Sequence, residues 1–146
     1  MKIYTIGFTQ KSAQEFFETL RKHAVQCVID IRLRPSGQLS GFAKQEDLPY
    51  FLDRLADGCK YIHMSELAPT KEILDGYRKN HNWPAYALEF ESLMDSRNIP
   101  QALDEDLFSR YSCCLLCSEA GPEKCHRRLV ADRLAVRWPE VEVVHL

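Results

Sequence analysis

The sequence predicts an α/β domain of about five mostly parallel strands with helices on both faces. Three observations carry that expectation. Short apolar runs recur along the chain, and segments with apolar residues at helical spacing separate them. The clearest runs, Cys27-Val28-Ile29-Asp30-Ile31 and Cys113 to Cys117, are nearly continuous rather than alternating, which suits strands covered on both sides. Turn-forming residues punctuate the joins.

Taken in order, Ile3 to Gly7 reads as a strand ending at glycine. Ser12-Ala13-Gln14-Glu15 has the spacing of a capping box, and Phe16, Phe17 and Leu20 continue it as a helix to about Lys22. Cys27 to Ile31 is the second strand. Arg32 to Phe42, with Pro35, Gly37 and Gly41, is a loop by composition. Lys44 to Ala56 is helical, with Leu48, Phe51, Leu52 and Leu55 on one face, and Tyr61 to Met64 is the third strand. An excursion follows over residues 65–110: a proline-containing turn, then helices over Lys71 to Lys79, Trp83 to Met94 and Gln101 to Arg110. Pro84 is tolerable in the first turn of the second of these. Cys113 to Cys117 is the fourth strand, Pro122 to Trp138 the last long helix, and Val141 to His145 the closing strand.

This is β-α-β-α-β, a helical insertion, then β-α-β, in one domain spanning residues 1–146. It is a compact three-layer, Rossmann-like pattern, and right-handed crossovers favour the strand order 3-2-1-4-5. Ligands of such sheets lie beyond the carboxyl ends of the strands, where the winding reverses. Gly7-Phe8-Thr9 and Cys117-Ser118-Glu119 are expected there, with Arg32 and Arg34, after the second strand, one strand away.

Composition sets bounds. With 45% hydrophobic and 27% charged residues the chain is ordinary for a globular protein. A net charge of −2 gives no overall attraction to nucleic acid or to acidic membranes. No stretch has the length of a membrane span, and MKIYTIGF reads as a strand rather than a leader, so a cytoplasmic protein without membrane attachment is expected. Six cysteines, at 27, 59, 113, 114, 117 and 125, are then read as core, redox or metal residues before disulfides.

The chemistry concentrates between Cys117 and Arg127. Pro122 at the start of a helix would leave the N–H groups of residues 123 to 125 free to seat an anion. Arg127 leads the face that packs on the sheet, and Arg128 points to solvent. A substrate phosphate or carboxylate held by Arg32 and Arg127, with Gly7, Thr9 and Asp30 beside them, is weighed against structural ion pairs to Asp30 or Glu119. Cys125 in the first helical turn, beside His126 and arginines, has a reason to be a thiolate nucleophile, and a buried inert thiol is the plainer alternative. Cys117 is the second reactive sulfur, with His126 and Glu119 as proton-transfer groups. A metal on Cys117, Cys125 and His126 ranks below no metal, because paired zinc spacings are missing and adjacent Cys-His side chains diverge on a helix. Tyr77, Trp83, Tyr86 and Phe90 read as core or as an aromatic wall.

Thr5-Ile6-Gly7-Phe8-Thr9, Asp30-Ile31-Arg32, Pro35, Phe42-Ala43-Lys44, Tyr61-Ile62-His63, Glu66-Leu67 and Leu116-Cys117-x-Glu119 … Cys125-His126-Arg127 together resemble the family catalogued as domain of unknown function 488. The resemblance spans nearly the whole chain, and its Cys-x-Glu … Cys-His-Arg element is the most specific part. It implies a small α/β domain with motif residues at the strand ends, and it implies no reaction or cofactor. The family pattern has His-Ser where Phe8 and Thr9 stand here, so a role for that histidine is lost while a hydroxyl is kept.

Two readings follow. One is an enzyme acting on a small anionic, phosphorylated or nucleotide-like compound. The other is a nucleic-acid or nucleotide binding module without chemistry, in which Arg32, Arg34, Lys44, Arg127 and Arg128 track phosphates and the aromatic excursion stacks bases. The net negative charge disfavours the second.

Overall fold

The computed structural model describes residues 1–146, the side chain of Gln38 excepted. Its elements are β1 (Lys2–Gly7), α1 (Ala13–Lys22), β2 (Cys27–Asp30), α2 (Leu48–Leu55), β3 (Lys60–His63), α3 (Lys71–Asn80), α4 (Trp83–Ser96), α5 (Glu105–Arg110), β4 (Cys113–Cys117), α6 (His126–Arg137) and β5 (Glu142–His145), with short 3₁₀ turns at Gln38–Ala43 and Ser65–Leu67. The α/β class, the five parallel strands, the helices on both faces and the helical insertion before β4 are as the sequence predicts.

The strand order requires a correction. The expected order was 3-2-1-4-5; the sheet runs β3-β2-β4-β1-β5. The crossover rule fixes the hand of each connection but not how many strands it skips. The β1-to-β2 crossover leaves a gap one strand wide, and β4 fills it. It pairs Ile3 to Gly7 with Cys113 to Cys117 on one side, and Cys27 to Asp30 with Cys113 to Leu116 on the other. Residue chemistry agrees with that placement. All five residues of Cys-Cys-Leu-Leu-Cys are buried and uncharged, whereas β1 opens on an exposed Lys2 beside the edge strand β5.

Alternation along the strands divides the core in two. Tyr4, Ile6, Val28, Cys114 and Leu116 pack with Phe16, Phe17 and Leu20 of α1 and with Leu48 and Leu52 of α2. Ile3, Cys27, Ile29, Cys113 and Leu115 pack on the other face with Phe90 and Met94 of α4, Phe108 of α5 and Val130, Ala131 and Leu134 of α6. Thr5, Gly7 and Cys117 alternate onto this second face, the one that carries the site.

Two local expectations shift. The helix expected from Lys44 begins at Leu48, after a turn over 45–47, and a 3₁₀ turn over Gln38–Ala43 forms in the segment expected as loop. The last helix starts at His126, not at Pro122, because residues 122 to 125 close a turn with Cys125 N–H donating to the Pro122 carbonyl at 3.3 Å. Cys125 is its N-cap, in extended conformation (φ −136°, ψ 139°). The N–H groups of residues 123 to 125 therefore do not form a helix end. No described helix is long and apolar enough to cross a membrane.

The β1–β5 edge has a pH signature. His145 Nδ1 lies 2.6 Å from the Thr5 hydroxyl. Partial burial, then the nearby Arg127 and Arg128, hold its pKa below the usual 6.5, against the opposing charges of Asp132 and Glu123. The unfolded chain therefore takes up this proton at a higher pH than the folded one. The contribution of neutral His145 is present above pH 6.5 and is lost as pH falls through the lowered folded value. An NMR titration should find the His145 ring midpoint below 6.5, moving back toward it in Arg128→Gln, which removes one of the charges that lower it.

Candidate functional site

Because β4 lies between β1 and β2, its last residue, Cys117, is flanked by the ends of both strands. Cys125 and His126 approach it from the start of α6. Donor atoms of Cys117, Cys125 and His126 all lie within 4.8 Å of one another. The three residues are 6%, 3% and 6% exposed. The expectation that adjacent Cys125 and His126 diverge fails because it presumed both inside a helix. Cys125 is an extended N-cap, so the chain turns between the two residues and both side chains close on Cys117.

The His126 ring is oriented by one bond. Nε2 lies 2.7 Å from the Ile31 carbonyl oxygen, which only accepts, so Nε2 carries the proton and donates. Nδ1 is left with a lone pair, 3.5 Å from Cys117 Sγ. The thiol of Cys117 is held below its ordinary value, first by the thiol hydrogen bond from Cys125. Burial opposes this, and the Ser118 N–H, the Arg127 charge and the Glu119 N–H assist it. Cys125 is pushed up by the same sulfur pairing and by burial.

The cluster floors a cleft of about 530 Å³. Tyr77, Trp83 and Tyr86 form one wall. Trp83 and Tyr86 stack at 5.2 Å, and the ladder runs on through Phe90, whose ring is 5.5 Å from that of His126. The mouth carries Arg34, Lys71, Arg78 and Lys124 against Asp75 and Glu119. Lys71 pairs with Asp75 at 2.7 Å, whereas Arg34, Arg78 and Lys124 make no salt bridge among the described residues. The cleft is thus cationic in a protein of net charge −2.

The expected anion-binding residues fall behind this cleft or at its margin. Arg32 is 5% exposed. It grips the fully buried Asp30 with Nε and Nη2 at 2.9 and 2.8 Å, and reaches the Ala43 carbonyl at 2.6 Å. Tyr61 completes the set, its hydroxyl donating to Asp30 at 2.6 Å, and burial followed by that bond raises the phenol's pKa. Arg127 is fully buried. It donates to the Thr5 hydroxyl at 3.3 Å and to the carbonyls of Glu119 and Ala120 at 2.6 and 3.4 Å. Thr9 binds the Ser118 carbonyl with both its N–H, at 3.1 Å, and its hydroxyl. Gly7 is needed for close approach: a Cβ there would meet the Glu119 carbonyl oxygen at 1.6 Å. The Glu119 carboxylate lines the cleft, and Arg128, expected in solvent, instead lies over Trp83 at 5.9 Å.

Reading the sequence missed the cleft roles of Lys71, Arg78 and Lys124. Lys71, Leu74 and Arg78 fall at i, i+3 and i+7, so a shared face of α3 was visible, but nothing marked it as facing the strand ends.

A doubly covered parallel sheet with a buried Cys-Cys-His cluster at its strand ends is consistent with a small-molecule binding or enzymatic role. The chain belongs to the family described as Domain of unknown function DUF488, which it matches over residues 12–134, as its motifs implied. It is also similar to a ferredoxin–nitrite reductase of Synechococcus elongatus (strain ATCC 33912 / PCC 7942 / FACHB-805), 34% identical over 88 residues. That stretch is 60% of this chain and 16% of the reductase, so the likeness reaches only a small part of that enzyme. No solved structure matches the chain.

Three substitutions test the scaffold. Arg32→Met leaves the Asp30 charge buried without its partner and should cost about 3–5 kcal/mol in equilibrium urea unfolding. The Asp30→Asn/Arg32→Met double variant should lose less than the sum of the singles. Gly7→Ala should cost about 1–3 kcal/mol or more, since the Glu119 backbone must move to admit one methyl group.

Proposed function

We propose that this cleft is the active site of an enzyme acting on a small anionic, nucleotide-like compound. One observation carries the reading: three buried donor groups converge at the floor of a cleft whose mouth is cationic and whose wall is aromatic. Arg34, Arg78 and Lys124 are the groups with charge to offer an anion, and Trp83 and Tyr77 offer faces to a flat ring. Cys117, Cys125 and His126 form the reacting centre, and Glu119 at the rim is the proton-transfer group in contact with solvent.

In this reading Asp30, Arg32, Arg127, Gly7 and Thr9 serve the anion indirectly. They hold the loops after β2 and β4 in the positions that bring Arg34 and Lys124 to the mouth. Buried behind the floor, Arg127 also adds positive potential to the centre.

Binding is read from tryptophan fluorescence, because Trp83 lines the cleft while Trp138 is 7% exposed in the core. Nucleoside mono- and diphosphates should quench Trp83 saturably. Arg78→Ala and Lys124→Ala should each weaken binding about 10-fold or more, the value of one charge-assisted hydrogen bond. Full affinity in both variants, or no response to nucleotides and to inorganic phosphate at low salt, would overturn the reading.

A further inference from the structure

We propose that Cys117, Cys125 and His126 are a metal centre: a three-ligand site for a zinc-class divalent ion, with an open coordination position facing the cleft. Four features of the chain point there.

The first is spacing. In a tetrahedral site with Zn–S near 2.3 Å and Zn–N near 2.05 Å, a sulfur and a nitrogen ligand stand about 3.6 Å apart. Cys117 Sγ and His126 Nδ1 are 3.5 Å apart, and Cys125 Sγ falls within the same 4.8 Å cluster.

The second is the ring's tautomer. A histidine that ligates through one nitrogen is usually fixed by donating its other N–H to a carbonyl or carboxylate, which holds the lone pair on the metal side. His126 has this arrangement through Ile31, with Nε2 donating at 2.7 Å and Nδ1 turned to the sulfurs. Phe90 packs against the ring and limits its rotation.

The third is Cys125. As the N-cap residue of α6 it makes no side-chain capping bond. Its sulfur turns inward to the cluster instead of serving the helix end.

The fourth is the shape of the surroundings. All three residues line the cleft, and no carboxylate or further histidine joins the cluster among the described residues. Three protein ligands with an accessible fourth position are the pattern of a catalytic rather than a structural zinc site. Two thiolates and an imidazole favour zinc over hard cations such as magnesium. When bound, the ion supplies a Lewis acid at the cleft floor. This chain's part is to hold two thiolates and one oriented imidazole, with Arg127 compensating the thiolate charge from behind.

The use of the open position rests on the cleft being an active site, as proposed above; binding of the ion does not. The experiment takes the full chain, reduced and stripped with chelator, and titrates it with Co²⁺ and then Zn²⁺. One equivalent of Co²⁺ should produce thiolate-to-cobalt charge-transfer absorption with the intense visible bands of tetrahedral cobalt, and Zn²⁺ should displace both. Zn²⁺ should protect Cys117 and Cys125 from alkylation. Cys117→Ser, Cys125→Ser and His126→Ala should each weaken zinc binding at least 10-fold, while Cys59→Ser, on the opposite face of the sheet, should leave it unchanged. Circular dichroism of each variant shows whether it is folded.

Absence of a stoichiometric cobalt spectrum from the folded, reduced wild-type chain would overturn the metal centre. So would a spectrum that survives in folded Cys117→Ser or Cys125→Ser. Nucleotide quenching of Trp83 in the same stripped protein tests the cleft separately. Quenching without cobalt binding removes the metal alone, and cobalt binding without quenching removes the substrate reading alone.

Discussion

The hydrogen bond from His126 Nε2 to the Ile31 carbonyl is the contact on which the site depends. It joins the first residue of α6 to the end of β2, across the end of β4. It is possible only because β4 lies between β1 and β2. In the order 3-2-1-4-5, the ends of β2 and β4 would stand two strand spacings apart, roughly 10 Å, and one imidazole would not bridge them. In the observed order the Ile31 N–H itself pairs with the Leu116 carbonyl at 3.1 Å, so its own carbonyl is turned beyond the sheet edge to meet the ring. Topology thereby selects the tautomer, and the tautomer leaves a nitrogen lone pair among two sulfurs.

Around that contact the buried charges act as struts. Arg32 with Asp30 closes the loop after β2, and Arg127 with Thr5 and two carbonyls closes the loop after β4. Arg32 donates to the Ala43 carbonyl and Arg127 to those of Glu119 and Ala120, supplying donors to carbonyls of the loops. Thr9 and Gly7 serve the same loop from β1, one by donating its N–H and hydroxyl to the Ser118 carbonyl, the other by having no side chain. A motif of Gly, Thr, Asp-x-Arg and Cys-His-Arg is in this sense largely a scaffold for two loops, with the donor cluster between them.

Much of this was legible in the sequence. The period of the apolar runs defines the strands and the helical insertion. The strand-end location of Cys117, Asp30 and Gly7 follows from the β-α alternation alone. Three things were not legible, each for a physical reason. The position of β4 depends on how many strands a crossover skips, which handedness does not encode. The start of α6 moved from Pro122 to His126 because a proline opens a turn as readily as a helix, and only the path of the chain decides between them. The Arg32–Asp30 ion pair was among the alternatives the side chains offered, whereas two of the three partners of Arg127 are loop carbonyls, which carry no signature in residue type.

The helical insertion belongs to the same design. It could have been a passive cover, since its aromatic spacing is that of any buried helix face. Its attachments say more. Arg133 of α6 binds the Ile99 carbonyl at 2.8 Å and Glu91 at 2.7 Å and also pairs with Asp95, locking α4 onto the helix that presents His126. Arg97 ties the end of α4 to the carbonyls of Glu66 and Ala68, just after β3. With the C-terminal half of α4 tied to α6 and to the segment after β3, the Trp83-Tyr86-Phe90 ladder is set against the imidazole that Phe90 touches. The insertion therefore supplies the wall of the cleft and the packing that restrains His126. A change in α4 that loosened Phe90 would reach the donor cluster without altering any of its three residues.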